Sequence, residues 1–256
     1  MKAKEIEDFF RRREVALGPE EGFRFGDPEV EVSGILVSWM ATLEAIRTAI
    51  EEECNLMLVH EDLFYPYDFQ RRNFERYLTW KVNRLRLKLL AENDITVFRA
   101  HGSLDRLCIL DDFARAIGLP EPRVKEDFVR IYEIPEISLG ELALRVKRSL
   151  GLREIRIVGP SERTVRRIGL PWGGLGLSIN VSFLESLLKH RPDALIAGET
   201  DEYAMFFALD AGISLIETGH SVSENIGLRN FAEILKREFP KMKIAFFECK
   251  RPWTII

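Results

Sequence analysis

Short apolar runs alternate with longer amphipathic stretches along most of the 256-residue chain. Runs of four apolar residues, such as Leu56–Val59 and Ala194–Ala197, are typical of strands buried on both faces of a sheet. In the stretches between such runs, apolar residues recur three or four positions apart, as Leu43, Ile46 and Ile50 do, and this spacing predicts helices. Strands that alternate with helices predict an α/β fold with mostly parallel or mixed sheets.

The same pattern sets the expected organisation of the chain. The longest predicted helix covers residues 70–93, and a later one covers 222–238, directly after a turn that contains His220. A proline-containing segment at 119–137 interrupts the alternation, which then resumes. We therefore expect two related α/β halves, residues 1–125 and 126–256, with a soft boundary between them or an interleaved single domain.

Three of the four histidines follow a predicted strand, and each has an acidic residue close behind it. In open α/β sheets, ligands bind beyond the carboxyl ends of the strands. The fold is therefore expected to bring these strand ends together at one site between the halves. The groups are His60 with Glu61 and Asp62, His101 with Asp105, and His220 with Glu224.

Imidazole nitrogens combined with carboxylate oxygens suit Zn, Mn, Fe or Co better than a metal that prefers sulfur. Two ions that share carboxylates would explain why acids outnumber histidines in these motifs. We expect a divalent transition metal, two ions per chain, that activates water and polarises a substrate oxygen. His101 and His220 are the candidates for proton transfer.

Each motif also has a plainer explanation when it is taken alone. His60, Glu61 and Asp62 could form an ordinary surface turn. Ser103 or Asp105 could satisfy the first amides of a helix. Ser221 and Glu224 have the spacing of a capping box, in which the glutamate reaches back to the serine amide.

Two further features offer weaker signals. The glycine turn at residues 171–176 could approach a phosphate closely or could be a tight strand-to-helix connection. It matches neither the GxGxxG nor the GxxxxGK(S/T) motif. His190 lies at the end of a predicted helix, where the helix dipole is a sufficient explanation for it.

Composition limits the classes of function. The net charge of −4 argues against a general nucleic-acid binder. Cys54, Cys108 and Cys249 lack CxxC spacing and are expected to be free thiols in a reducing cytoplasm. No signal peptide is visible at the charged N-terminus, and no uncharged apolar run approaches the ~20 residues that cross a bilayer. A cytoplasmic protein that is not in a membrane is expected.

The ordered motifs resemble those of the Nif-three-like family, also described as type 2 homologues of GTP cyclohydrolase I. Val59–Tyr65 resembles its strand-end His-His-x-x-Phe-Trp motif, and residues 101–105 resemble its His-Thr-x-x-Asp motif. Gly173–Gly176 looks like its glycine turn, Ala197–Glu199 is similar to its Thr-Gly-Glu motif, and residues 219–224 look like its Gly-His-x-x-x-Glu motif. The order and spacing agree from about residue 30 to residue 248.

The resemblance implies two α/β halves, ring-shaped homo-oligomers that are often hexamers, and a two-metal site facing an internal cavity. It assigns His60, Asp105, His220 and Glu224 as metal ligands, with Glu224 bridging, and His101 as a ligand or proton-transfer group. Glu61 stands where the family usually has its second histidine, and its carboxylate can still bind a metal.

The functional expectation is a metal-dependent hydrolase that acts on a small molecule, with GTP or a related nucleotide as the substrate that the resemblance implies. The alternative is a non-catalytic metal-binding protein that serves as a regulator, adaptor or metal chaperone.

Overall fold

The computed structural model describes residues 1–66 and 74–256. It confirms an α/β fold, with one five-stranded and one six-stranded sheet. In chain order the elements are α1 (Glu5–Arg12), β1 (Gly22–Phe25), β2 (Gly34–Ser38), α2 (Leu43–Glu51), β3 (Leu56–Val59), α3 (Phe74–Leu78), α4 (Lys81–Glu92), β4 (Thr96–Arg99), α5 (Gly102–Leu104), α6 (Leu110–Ala116), β5 (Val124–Glu126), β6 (Val129–Ser138), α7 (Leu139–Ser149), β7 (Arg156–Val158), β8 (Thr164–Gly169), α8 (Val181–Leu188), β9 (Ala194–Ala197), α9 (Glu202–Asp210), β10 (Ser214–Glu217), α10 (His220–Glu238) and β11 (Lys243–Phe247).

Contacts divide the chain into two compact units. The first contains residues 1–108 and 227–249, and the second contains residues 109–226 and 250–256. Residues 109–125 thus lie with the second unit, and residues 227–249 return to the first. The expected domain boundary near residue 125 stays a prediction.

The five-stranded sheet belongs to the first unit and has the order β1-β4-β3-β2-β11. All neighbouring pairs are parallel except β1 with β4. Every residue of β2, β3 and β4 is buried, which explains why these strands appear in the sequence as continuous apolar runs. Because β3 and β4 are parallel neighbours, the residues that follow them emerge at the same edge of the sheet.

An aromatic cluster packs helix α1 in the first unit. The ring centroids of Phe9 and Phe10 are 5.3 Å apart, and Phe10 stacks on Phe98 of β4 at 6.0 Å. Phe231 of α10 lies 6.0 Å from Phe10. The apolar face of this helix, which also includes Ile6, is buried.

The six-stranded sheet belongs to the second unit and has the order β5-β6-β8-β9-β10-β7. Strands β8, β9 and β10 are parallel, and the other neighbouring pairs are antiparallel. Ile131, Leu195 and Leu215 contribute to its buried core. Helix α7 begins with a capping box formed by Ser138 and Glu141.

The helix expected at residues 70–93 differs from the structure. Residues 70–73 lie outside the described ranges, and the remainder forms α3 and α4, which are separated at Thr79 and Trp80. Trp80 has an extended backbone, with φ −66° and ψ 137°, so the helix restarts after it. Among the described residues the longest helix is α10, with 19 residues. The interruption left no sign in the sequence, because charged residues occur throughout 70–93 and both helices have exposed polar faces.

None of the helices in residues 1–66 and 74–256 combines the length and the apolar composition that crossing a membrane requires.

Truncation of Phe10 to alanine should lower the free energy of unfolding by about 3–5 kcal/mol, because the buried ring leaves a cavity among its aromatic neighbours. Phe206→Ala removes an equally large but exposed ring from α9 and should change stability by about 0.5 kcal/mol or less. Urea denaturation of both variants measures the difference. Similar losses for the two substitutions would contradict the assignment of Phe10 to the core.

Candidate metal centre

His60, His101 and Asp105 come together in the first unit. Their possible ligand atoms all lie within 4.8 Å of one another. Nε2 of His60 is 3.8 Å from Oδ1 of Asp105, and the two imidazole centroids are 4.7 Å apart. The parallel pairing of β3 with β4 produces this proximity, since His60 follows one strand and His101 follows the other.

The ring of His60 is fully buried and has a fixed orientation. Its Nδ1 lies 3.2 Å from the backbone carbonyl oxygen of Ala100. A carbonyl only accepts hydrogen bonds, so in the neutral ring Nδ1 carries the proton and Nε2 carries the lone pair. This is the tautomer that a histidine needs to bind a metal through Nε2.

The helix start that carries His101 and Asp105 is capped from another part of the chain. The Glu21 carboxylate accepts hydrogen bonds from the amides of His101 and Ser103 and from the Ser103 hydroxyl. Burial alone would raise the pKa of Glu21, but hydrogen bonds from Gly18 and Ser103 outweigh it and hold that pKa below its ordinary value. Because Glu21 occupies the amides, the explanation that Ser103 or Asp105 exists to cap this helix is not needed.

Glu61 and Asp62 are not an ordinary surface turn. Both side chains are largely buried, and each faces a guanidinium group. Oε2 of Glu61 is 4.0 Å from Nη2 of Arg99, and Oδ1 of Asp62 is 3.7 Å from Nη2 of Arg24. Burial raises the pKa of Asp62, and the charge of Arg99 opposes that rise.

A second histidine–carboxylate group lies in the second unit. Nε2 of His220 is 3.4 Å from Oε1 of Glu224, and Nδ1 of His220 is 3.0 Å from Oε2 of Glu199. An ionised carboxylate only accepts, so it favours the proton on Nδ1 and the lone pair on Nε2. Two ligand atoms about 2.1 Å from one tetrahedral ion lie about 3.4 Å apart, which matches the separation of His220 and Glu224.

The capping-box explanation for Ser221 and Glu224 is wrong. Helix α10 begins at His220, and the Ser223 amide donates to the carbonyl oxygen of Gly219. Ser221 therefore lies inside the first turn and is not the capping residue. Glu224 is one turn beyond His220, so the two side chains share a face of the helix.

The glycine turn encloses the His220–Glu224 pair. Gly173 has φ +53°, and a Cβ at this position would overlap Oε1 of Glu224. A Cβ on Gly174 would lie 3.0 Å from Cε1 of His220. The Gly173 amide donates to the Ser223 hydroxyl, which in turn donates to the carbonyl oxygen of His220. The absence of side chains in this turn therefore makes room for the pair.

Sequence reasoning assigned no role to Glu199, Glu21 or Arg99. Glu199 carried a usable signal, because it stands two residues beyond β9 in the same kind of position as the three histidines. Glu21 and Arg99 carried none, since their partners are distant in the chain. The structure thus adds one carboxylate that orients His220 and two residues that shape the surroundings of His60 and His101.

A family model described as Duf34/NIF3 (NGG1p interacting factor 3) matches residues 3–252. The chain belongs to this family, and the resemblance seen in the sequence motifs is confirmed.

Individual relatives agree with this assignment. A protein of Chlamydia pneumoniae named GTP cyclohydrolase 1 type 2 homolog is 29% identical over 252 residues, with 92% of this chain and 91% of the relative covered. A protein of the same name from Clostridium acetobutylicum is 25% identical and covers 79% of this chain and 76% of its own length.

Solved structures show the same fold. A Bacillus cereus protein related to NIF3 superposes with a TM-score of 0.79 at 15% identity and covers 100% of this chain and 99% of its own. Reduced HcgD from Methanocaldococcus jannaschii gives a TM-score of 0.74 at 23% identity, with 97% and 98% covered. At these identities the likeness concerns the fold alone.

Gly173→Ala should destabilise the protein more than Gly212→Ala. Both glycines have positive φ, so both alanines meet a backbone penalty of about 1–2 kcal/mol. A Cβ at Gly212 contacts nothing within 4 Å, whereas one at Gly173 overlaps Glu224. We expect an additional loss of at least about 1 kcal/mol for Gly173→Ala in chemical denaturation. Equal losses would show that the turn does not press on the carboxylate.

Proposed function

We propose that this protein binds divalent transition metal ions through its histidine–carboxylate groups and acts as a metal-dependent hydrolase on a nucleotide or related small molecule. The observation that carries the proposal is the geometry of His220. The carboxylate of Glu199 fixes Nδ1 of His220. Nε2 of His220 and Oε1 of Glu224 are separated by the distance that two ligands of one ion would have.

The donor set supports a metal such as Zn, Mn, Fe or Co. His220 and Glu224 supply a nitrogen and an oxygen beside a glycine turn that a side chain would fill. His60 and Asp105 offer a second pair of the same kind, with Nε2 of His60 carrying the lone pair. The sequence prediction that both pairs serve one dinuclear centre, with Glu224 bridging and Glu61 as a further ligand, is part of the proposal.

The chemistry that bound divalent ions supply is Lewis acidity, which polarises a substrate oxygen and lowers the pKa of water. The protein groups contribute orientation and proton transfer. His101 is the better candidate for moving a proton, because its side chain is 24% exposed and its Nδ1 is 3.7 Å from Oε1 of Glu20. Both nitrogens of His220 face carboxylates, and this favours a ligand role over the predicted catalytic role for that residue.

The substrate class rests on the family relatives. Proteins 25–29% identical to this chain carry the name GTP cyclohydrolase 1 type 2 homolog, and this supports a purine nucleotide or a related small molecule. Ring-shaped homo-oligomers, with hexamers as the expected size, are likewise part of the proposal through the family.

The second candidate function is metal binding without turnover, in a regulatory or adaptor assembly. The surroundings of Glu61 favour it, because the Arg99 guanidinium lies at one carboxylate oxygen and weakens Glu61 as a ligand for a second catalytic ion.

Metal content of the purified full chain tests metal binding directly. After metal removal and dialysis against Zn²⁺ or Mn²⁺, the wild-type protein should retain about two ions per chain, and His220→Ala and Glu224→Gln should each lose at least one. His190→Ala and Glu202→Gln are matched controls, since they remove the same side chains outside both groups. Retention of all ions by His220→Ala would contradict the assignment.

Turnover separates the two candidate functions. The wild-type protein loaded with Mn²⁺, Zn²⁺ or Co²⁺ should hydrolyse at least one member of a panel of nucleotides and phosphoesters, and His101→Ala should lower kcat by about 10²-fold or more while keeping its metal. Bound metal with no turnover across the panel would favour the non-catalytic function.

A further inference from the structure

A buried group of four charges lies at the end of strand β3 in the first unit. It pairs Arg24 with Asp62 and Arg99 with Glu61, at 3.7 Å and 4.0 Å, and each of the four side chains is at most 13% exposed. Each carboxylate faces a guanidinium group, and buried charges are tolerated when they are paired in this way. Glu61 therefore already has a cation beside it in the protein itself.

Arg99 is anchored by the backbone of the segments around it. Its Nε donates to the carbonyl oxygen of His60 at 3.1 Å, and its Nη1 donates to that of Glu20 at 3.3 Å. As the last residue of β4, it is in register with Val59 of β3 and Gly22 of β1. The guanidinium is thus fixed where β3 ends, and it cannot move away without breaking these hydrogen bonds.

We propose that Arg99 is the resident counter-ion of Glu61, and that this positioning residue limits Glu61 as a metal ligand. A guanidinium beside the carboxylate offsets the negative charge that would attract a metal ion. It also repels a divalent cation several ångströms away by an energy well above thermal energy at an effective dielectric constant of about 20. The proposal rests on the proposed metal binding and deepens it, because it makes the fixed Arg99 guanidinium the group that limits the affinity of the weaker metal ion.

Calorimetric titration of the metal-free full chain with Zn²⁺ tests the proposal. Removal of the Arg99 charge should tighten zinc binding, whereas structural damage would weaken it. Arg99→Met should tighten the weaker Zn²⁺ binding event by about tenfold or more, since Glu61 is released and a repelling charge is removed. Arg99→Lys keeps the charge and should stay within about threefold of the wild-type protein. Arg99→Gln serves the same purpose if Arg99→Met does not fold.

Glu61→Gln, alone and combined with Arg99→Met, completes a double-mutant cycle of zinc affinity. In the wild-type background it should weaken zinc binding less than it does in the Arg99→Met background, because the Arg99 guanidinium already faces the carboxylate. In the Arg99→Met background it should abolish the gain. Weaker zinc binding by a folded Arg99→Met variant, or a gain that survives Glu61→Gln, would overturn the proposal.

A stability cycle without metal tests the pair separately. In the presence of a chelator, the losses from Glu61→Gln and Arg99→Met should be coupled by about tenfold or more in the unfolding equilibrium constant. The exposed pair of Arg229 and Glu248, also in the first unit, is the control and should be additive within about twofold. Additive losses at Glu61 and Arg99 would overturn the proposal.

The two experiments keep the failures distinct. If the wild-type chain binds no zinc, the proposed metal function fails, while the stability cycle still decides whether Arg99 is the counter-ion of Glu61.

Discussion

Parallel pairing of neighbouring strands is the constraint on which both candidate metal groups depend. In the first unit, β3 and β4 are parallel neighbours, and the residues that follow them include His60 and His101. In the second unit, β9 and β10 are parallel neighbours, and Glu199 and His220 follow them. Parallel strands end at the same edge of a sheet, so residues far apart in sequence meet within each unit.

The two units also hold their imidazoles in the same chemical state by different means. Nδ1 of His60 faces a backbone carbonyl, whereas Nδ1 of His220 faces the carboxylate of Glu199. Either acceptor favours the tautomer with the lone pair on Nε2. That nitrogen faces Asp105 in the first unit and Glu224 in the second.

The sequence was sufficient to predict the strands that carry the site and the residues that follow them, because fully buried strands leave an unbroken apolar run. It was not sufficient for side-chain partners that are distant in the chain. Glu21 lies 80 residues from His101, and Arg99 lies 38 from Glu61, with no periodic signal to connect them. A local motif also suggested the wrong start for a helix. Ser221 and Glu224 have the spacing of a capping box, but the helix begins one residue earlier, at His220.

The proposed function depends on metal binding by imidazole and carboxylate groups of this chain. X-ray absorption at the zinc edge of the zinc-loaded full chain tests it most directly, because the three cysteines offer a sulfur alternative. We expect nitrogen and oxygen neighbours at about 2.0–2.2 Å, with the scattering pattern of coordinated imidazole. Sulfur neighbours at about 2.3 Å, or oxygen neighbours without imidazole, would contradict it.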